Sequence, residues 1–273
     1  KNVLLTGGTG FLGIHILYAL IKNTDLTVYC ITRGKNSETP KDRLIRKLRY
    51  YFGEELVPYV EKRIQVLSGD IVKPHLGLSN NDYKELGNKI DLVIHSAAIV
   101  NHYGNKDLFE LINVTGTNNI IDFCNKFSIY LNHISTTSVS ASIPDATNTV
   151  TFDEHCLYIG QDYESNIYIK TKFEAEYNIW EALENSNLKA SVYRLGNICA
   201  RYTDGKFQQN YNKNAFLNRV ITLSKLDRIA KSFSDFKIDL SPVDYCANII
   251  TDLCTLESSY SKTFHIYNNS SIK

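Results

Sequence analysis

The stretch that decides the fold is K-N-V-L-L-T-G-G-T-G-F-L-G, residues 1–13. The apolar run Val3–Leu5 leads into glycines at positions 7, 8, 10 and 13, and a segment of helical periodicity follows. A strand, the spacing G-x-G-x-x-G and a helix, in this order, form the dinucleotide-binding fingerprint. Glycines let the backbone approach a pyrophosphate, and the helix N-terminus offers unpaired N–H groups to the anion. We predict a nucleotide site here, with an ordinary glycine-rich turn as the alternative. The predicted cofactor-binding residues of this loop are Thr6, Gly7, Thr9, Gly10, Phe11, Leu12 and Gly13.

Apolar runs alternate with helix-period segments along the rest of the chain, which is typical of a parallel sheet with crossover helices. We predict strands at Val3–Leu5, Leu26–Ile31, Ile64–Leu67, Leu92–His95, Ile129–Ile134 and Ala190–Leu195, with Phe264–Tyr267 as a candidate seventh. Helices are predicted at Gly10–Ile21 and from the segment T-P-K-D, where Thr39 caps the helix. The segment Ala141–Asn166 has no clear periodicity and is predicted to be a loop near the site.

These elements predict an α/β protein with a doubly wound parallel sheet and a small C-terminal lobe. Residues 1–196 form the predicted nucleotide-binding Rossmann domain. Residues 197–273, where the pattern loosens, supply a substrate lobe whose segments are interleaved with the last strands. The chain contains no Met and begins on its first strand, so we expect it to be a piece of a longer protein.

Composition excludes several classes of partner. Lys and Arg number 30 against 29 Asp and Glu, so a nucleic acid or anionic membrane has no electrostatic support. No apolar run reaches membrane-spanning length. The six cysteines are scattered without zinc-ligand spacing, which predicts no metal site and fits a reducing cytoplasm. The basic run 43–47 is first interpreted as a solvated helix face.

The end of the second strand indicates which nucleotide is bound. NAD binders usually place an acid there for the ribose hydroxyls, but this strand runs into Thr32-Arg33-Gly34-Lys35. Arg33 can clamp a 2′-phosphate, and Arg43 at the start of the next helix can reach the same group. We therefore predict NADPH, with Arg33, Lys35 and Arg43 at the site, and two surface charges as the alternative.

A Tyr and a Lys four residues apart on a helix lie on one face, where the ammonium can lower the phenol pKa from about 10. Three such pairs occur: Tyr18/Lys22, Tyr168/Lys172 and Tyr202/Lys206. We choose Tyr168/Lys172, because it lies on a long helical segment with Ser165 as a candidate cap. It also follows a strand that ends in the hydroxyl cluster I-S-T-T-S-V-S. Thr136 is the chosen partner hydroxyl, with Thr137 and Ser138 as alternatives.

With these residues in place, the chain resembles an extended short-chain dehydrogenase/reductase. More narrowly, it resembles the thioester reductase domains that terminate non-ribosomal peptide synthetases, aminoadipate reductases and carboxylic acid reductases. The specific segments are G-D-I-V-K-P-H-L-G-L-S (69–79) and D-L-S-P-V-D-Y (239–245). Further segments of the family occur in the same order at residues 4–13, 28–36, 91–103, 113–124, 134–140, 168–176 and 193–198.

The resemblance implies further cofactor-binding residues. Asp70 and Ile71 flank the adenine, Ser96, Ala97 and Ala98 line the cofactor, and Asn113 helps to order the active site. Gly196, Asn197 and Ile198 are implied to contact the nicotinamide through their backbone. Leu195 stands where the family commonly has proline, which weakens only this last assignment.

The resemblance also implies the reaction. Thr136, Tyr168 and Lys172 are the implied catalytic triad, and NADPH reduces a carrier-bound acyl or peptidyl thioester to an aldehyde, and in some cases on to the alcohol. The implied partner is an acyl or peptidyl carrier protein upstream in the same polypeptide, and the domain is expected to be monomeric. The alternatives are a stand-alone fatty acyl-CoA or carboxylic acid/aminoadipate reductase and a sugar-nucleotide epimerase or dehydratase. A non-catalytic NADP-binding scaffold is a further alternative from another class.

Overall fold

The glycine-rich start of the chain forms a strand, a tight loop and a helix, around which the fold is built. The computed structural model describes residues 1–35, 37–144, 150–226 and 238–270. The strands are β1 (Asn2–Thr6), β2 (Thr27–Thr32), β3 (Ile64–Ser68), β4 (Leu92–His95), β5 (Tyr130–Thr136), β6 (Ala190–Leu195), β7 (Ile198–Cys199), β8 (Ser241–Pro242) and β9 (Thr263–Ile266). The helices are α1 (Phe11–Asn23), α2 (Pro40–Phe52), α3 (Asn80–Lys89), α4 (Lys106–Phe109), α5 (Gly116–Phe127), α6 (Ile167–Asn185), α7 (Ala215–Leu226) and α8 (Val243–Thr255).

Seven of the described strands form one parallel sheet in the order β3-β2-β1-β4-β5-β6-β9. The order reverses between β1 and β4, and ligands of such sheets bind in the crevice beyond the strand ends at this switch point. The six predicted strands and the candidate seventh are confirmed, each to within about two residues. The predicted doubly wound α/β fold is confirmed as well.

Both faces of the sheet are buried, which explains the continuous apolar runs of its strands. Along β1, Val3 and Leu5 pack into the core with α1, α2 and α8, whereas Leu4 points to the opposite core with α3 and α5. Side chains alternate between the faces of a strand, so a strand covered on both sides must be apolar throughout.

Beyond residue 196, one described helix and one described strand belong to the seven-stranded sheet and the helices that cover it. Helix α8 packs against α1, and β9 pairs with β6 at the sheet edge. Strands β7 and β8 pair in a separate small sheet. The division into two domains at residue 196 stays a prediction.

The predicted loop Ala141–Asn166 forms no helix or strand where it is described, and residues 145–149 lie outside the described ranges. Within the ranges that are described, no helix is long and apolar enough to cross a membrane.

Candidate active site

One continuous cavity of about 830 Å³ extends from the glycine loop to the start of α6. It lies at the carboxyl ends of the sheet strands, where the strand order predicts a ligand site. The predicted site residues on its wall are Gly7, Thr9, Gly10, Phe11, Leu12, Gly13, Arg33, Lys35, Arg43, Asp70, Ile71, Ser96, Ala97, Ala98, Thr136, Tyr168, Lys172, Gly196, Asn197 and Ile198. The structure therefore brings these residues together, and their individual roles stay predictions.

The glycine loop is shaped so that only glycine fits at its tightest points. Gly7 has a φ of +73°, and a Cβ there would lie 2.7 Å from the backbone nitrogen of Ala97. No side chain caps α1 at Gly10, so the first backbone N–H groups of the helix are left for a bound anion. The loop therefore fits the pyrophosphate of a dinucleotide.

Thr6 was predicted to contact the cofactor, but the structure does not place it on the cavity wall. It is fully buried behind the cavity wall, where its hydroxyl oxygen lies 2.7 Å from Nδ1 of His95 and accepts a 3.2 Å hydrogen bond from the Ala97 backbone. Thr6 thus ties the end of β1 to the segment after β4. It supports the wall of the cavity and does not form it.

The end of the cavity beside β2 and α2 is strongly basic. Arg33, Lys35 and Arg43 line it, as predicted, but so do Arg46 and Lys47. The basic run 43–47, first interpreted as a solvated helix face, therefore also lines the cavity, although Arg46 is exposed and pairs with Glu38. Helical periodicity identifies such a face but not what the face meets.

Arg33 and Asp70 face each other across this end. The Arg33 guanidinium lies 3.7 Å from the Asp70 carboxylate, and Arg43 donates a 2.9 Å hydrogen bond to the Arg33 backbone carbonyl. Slightly more than half of the Arg33 side chain is exposed, so its charge is available to a phosphate. The two predicted arginines are therefore linked, with Arg43 supporting the backbone that carries Arg33.

The segment that contains Gln208 and Gln209 packs against α2, and no sequence pattern predicted this contact. Lys47 donates a hydrogen bond to the Gln209 side chain, and the Gln209 backbone donates to the Tyr51 hydroxyl over 3.1 Å. Gln208, Gln209 and Tyr51 line the cavity. These contacts join residues about 160 positions apart, and no local signal in the sequence indicates them.

Of the three candidate hydroxyls at the end of β5, the structure favours Thr136. Thr136 and Ser138 line the cavity, whereas Thr137 donates a 3.3 Å hydrogen bond to the Leu195 carbonyl. The Thr136 oxygen accepts from the Ser138 backbone over 3.1 Å. The Thr136 hydroxyl also acts on Tyr168, since it lowers the pKa of the phenol against the effect of burial. Thr137 is therefore turned away from the site.

Tyr168 lies in the first turn of α6, and the cap of this helix holds it in place. The cap is Asn166, whose side-chain oxygen accepts from the backbones of Tyr168 (3.0 Å) and Ile169 (3.2 Å). The prediction of Ser165 as the cap was wrong by one residue, because Ser and Asn are both good caps and composition does not rank adjacent ones.

Burial governs the acid–base properties of Tyr168 and Lys172. It raises the pKa of the Tyr168 phenol, and the hydrogen bond with Thr136 acts in the opposite direction. Burial lowers the pKa of Lys172 to about 8, opposed by the Glu176 carboxylate. The expected lowering of the Tyr168 pKa is therefore not found in this structure, since burial outweighs the other contributions.

Asn113 was predicted to order the site, and the structure places it behind the wall in a wide helical turn, Glu110–Thr115, between α4 and α5. Its side-chain oxygen accepts from the Ile99 backbone (2.7 Å), and its amide donates to the Ile99 carbonyl and to Thr171 (both 3.0 Å). Such π-type turns are frequent at functional sites. Asn113 thereby links the segment after β4 to α6.

Asp239, from the D-L-S-P-V-D-Y segment, holds the segment after β6. Its carboxylate accepts hydrogen bonds from the backbone and side chain of Asn197, both 2.8 Å. A Cβ at Gly196 would collide with the same carboxylate. In the sequence this segment stands out only as a family signature, because its role depends on a contact across 42 positions.

The other two Tyr/Lys pairs lie outside the cavity wall. Tyr18 and Lys22 both contact Glu55, and Tyr202 lies in an exposed turn that includes Asp204. The structure therefore separates both pairs from the candidate site, as predicted.

Comparison with known proteins agrees with this geometry. A family model described as male sterility protein matches residues 5–250. The chain belongs to the male sterility protein family. The prediction that this chain is a nicotinamide-dependent oxidoreductase is thereby confirmed.

Similar proteins of known structure are reductase domains of synthetases. A thiolation-reductase di-domain from an archaeal non-ribosomal peptide synthetase is 39% identical, with a TM-score of 0.88, and is matched over 100% of this chain and 57% of its own. The terminal R domain of the myxalamid pathway is 29% identical, with a TM-score of 0.84, over 100% of this chain and 67% of its own. The resemblance to terminal reductase domains is confirmed.

Among curated proteins, a linear gramicidin synthase chain of Brevibacillus parabrevis is 27% identical over 98% of this chain but only 5% of its own length. The chain therefore spans a small part of the curated relatives it matches. A UDP-glucuronic acid 4-epimerase from Bacillus cereus, 20% identical with a TM-score of 0.69, shares the fold alone. The epimerase alternative is not favoured.

Proposed function

We propose that this chain reduces a carrier-bound acyl or peptidyl thioester to an aldehyde at the expense of NADPH. The observation that carries the proposal is the continuous cavity itself. Its one end is the glycine loop with the basic residues, and its other end holds Thr136, Tyr168 and Lys172.

The chemistry assigns a task to each of these side chains. When bound, the nicotinamide supplies the hydride to the thioester carbonyl carbon. Thr136 and Tyr168 hold the carbonyl oxygen, and Tyr168 donates the proton as negative charge develops there, where preorganised donors act most strongly. Lys172 holds the ribose hydroxyls and stabilises the tyrosinate that remains. The thiohemiacetal then releases the thiol and the aldehyde, and reduction of the aldehyde to the alcohol would need a hydride from a second NADPH.

Two features support NADPH over NADH. The end of β2 carries no acid for the ribose hydroxyls, and Arg33 and Arg43 stand where a 2′-phosphate is recognised. Lys35 and Lys47 add positive charge to the same end of the cavity, whereas the charge of Arg46 is paired with Glu38.

The proposed partner is a carrier protein in the same polypeptide. The relatives are multidomain synthetases, and one solved relative is itself a thiolation-reductase di-domain. We also propose a cytoplasmic location, supported by six cysteines that are all free thiols.

The test is direct: NADPH absorbance is followed after an acyl-CoA thioester is added, and the products are identified. Consumption of NADPH with formation of aldehyde supports the proposal. No consumption with an acyl-CoA or with an acylated carrier, despite tight NADPH binding, would favour the non-catalytic scaffold.

A further inference from the structure

The ammonium group of Lys172 is held by two atoms of the neighbouring strand β5. Its Nζ donates to the Ile134 carbonyl over 2.7 Å and lies 3.2 Å from Nε2 of His133. Lys172 and His133 are both almost fully buried. An ammonium has three N–H donors, so these two contacts leave one donor for the cavity that Lys172 lines.

The contact also determines the state of His133. An ammonium can only donate, so the nitrogen that faces it must be an acceptor, and the neutral ring then carries its proton on Nδ1. That Nδ1 is buried and has no hydrogen-bond partner in the described part of the chain. An unsatisfied buried polar group costs stability and requires an explanation.

The surrounding charges do not provide one. His95 on β4 is the cross-strand neighbour of His133, with the ring centroids 5.4 Å apart, but its two nitrogens contact Thr6 and Thr117. On α6, Glu176 is engaged by Ser135 and by Arg194 of β6, so neither charge contacts His133. The one polar contact of His133 in the described chain that reaches the cavity wall is Lys172.

We propose that His133 is a positioning residue, whose Nε2 accepts a hydrogen bond from Lys172 and so aims the remaining ammonium N–H at the cofactor ribose. The inference rests on the proposed function, because it assigns Lys172 the task given there. A residue kept only for packing at this site would be apolar, since a leucine fills the space without a buried unpaired N–H.

Three variants separate positioning from packing. His133→Gln places an amide oxygen near the position of Nε2 and keeps the acceptor. His133→Asn has its amide near the position of Nδ1 and does not reach Lys172, and His133→Leu has no acceptor. We expect kcat for reduction of octanoyl-CoA to stay within about threefold in the Gln variant. It should fall about ten- to hundredfold in the other two. A loss of this size is typical when the hydrogen-bond partner of a metal-ligating side chain is removed.

The pH dependence of NADPH binding gives a second readout. Lys172 has a pKa lowered to about 8 by burial, so binding should weaken as pH rises through that value and the ammonium is lost. Loss of the acceptor destabilises the ammonium further, so this weakening should begin at lower pH in the Leu and Asn variants but not in the Gln variant. Tyr168 and Glu176, which face Lys172 from its own helix, are unchanged in all three.

The outcomes are distinct. Equal kcat and equal pH profiles in the Gln, Asn and Leu variants would overturn the inference, as would a Leu variant more active than the Gln variant. If the unaltered chain reduces no thioester, the proposed function fails, and the pH profile of NADPH binding still decides the role of His133. Thermal unfolding of each variant checks that it folds.

Discussion

At the scale of single residues, the sequence identifies the chemical groups of the candidate site but not the environment of each group. Tyr168 and Lys172 share a helix face because they are four residues apart, and this needs no tertiary information. Their pKa values move in opposite directions because loss of solvent favours the neutral form of each group, and only the fold decides how much solvent each group loses.

We expect Tyr168→Phe to reduce kcat by roughly 10²–10⁴-fold, because a positioned acid contributes about that much. NADPH binding should stay within a few-fold, since the phenol acts mainly in the transition state. Steady-state kinetics and fluorescence titration measure the two effects. Tyr18→Phe and Tyr202→Phe are the matched controls and should be almost fully active. Substantial activity in Tyr168→Phe would mean that Thr136 or water supplies the proton.

Replacement of Arg33 with Ala should weaken NADPH roughly ten- to hundredfold and NADH much less, because a charge-assisted contact to phosphate contributes about 1.5–3 kcal/mol. Arg43→Ala should act in the same direction through the Arg33 backbone. Arg49→Ala is the control, since Arg49 lies on the same helix, pairs with Glu54 and is not on the cavity wall. Equal weakening of both cofactors would mean that Arg33 is structural.

At the scale of elements, the wide turn at Glu110–Thr115 connects two parts of the site. Asn113 in this turn makes three hydrogen bonds, to both backbone groups of Ile99 and to Thr171. The turn therefore couples the segment after β4 to the helix that carries Tyr168.

We expect Asn113→Ala to lower the free energy of unfolding by about 2–4 kcal/mol, because it leaves buried polar groups without partners. Asn118→Ala, a short distance further along the chain in α5, removes only an exposed contact with Asn178 and should change it by less than about 0.5 kcal/mol. Denaturant unfolding measures both. A similar small change in the two variants would show that the three bonds are replaced by water.

At the scale of the whole molecule, several histidines are buried as neutral groups. Burial lowers the pKa of His15 to about 4 and that of His95 to about 3. In the unfolded chain both titrate near 6.5. The unfolded state therefore binds protons that the folded state does not, and stability falls as pH drops below about 6.5.

We expect His15→Leu to reduce this acid sensitivity. Between about pH 6.5 and 4.5 the variant should lose about 2 kcal/mol less stability than the unaltered chain, since a neutral histidine costs about 1.4 kcal/mol per pH unit in that window. Denaturant unfolding at several pH values measures the slope. His155→Gln, at an exposed position, should leave the slope unchanged. An unchanged slope in His15→Leu would place the acid sensitivity elsewhere.

The likeness to synthetase domains leads to a prediction about substrate delivery. A thioester delivered on a tethered arm benefits from a high effective concentration, whereas a free thioester arrives only by diffusion. We expect slow turnover of an acyl-CoA and faster turnover of the same acyl group on its carrier, compared at matched concentration. Equal efficiency would favour a stand-alone acyl-CoA reductase.

The sequence by itself determined the elements and the chemical groups of this protein. The glycine loop, the alternation of buried strands and helices, the Tyr168/Lys172 pair and the basic end of β2 all follow from local patterns, because backbone conformation and side-chain periodicity are local properties. Even the cap of α6 was missed by one residue only, since the capping signal at Ser165 and Asn166 is degenerate.

The tertiary structure alone decided which distant groups meet. It turned Arg46 and Lys47 toward the cavity, placed Asp239 on Asn197, and set His133 beside Lys172. It also selected Thr136 over Thr137, because the register of β5 against β6 directs Thr137 to the Leu195 carbonyl. Contacts of this kind depend on how strands and helices pack across many tens of residues, and burial then sets the pKa values. No local pattern in the chain carries that information.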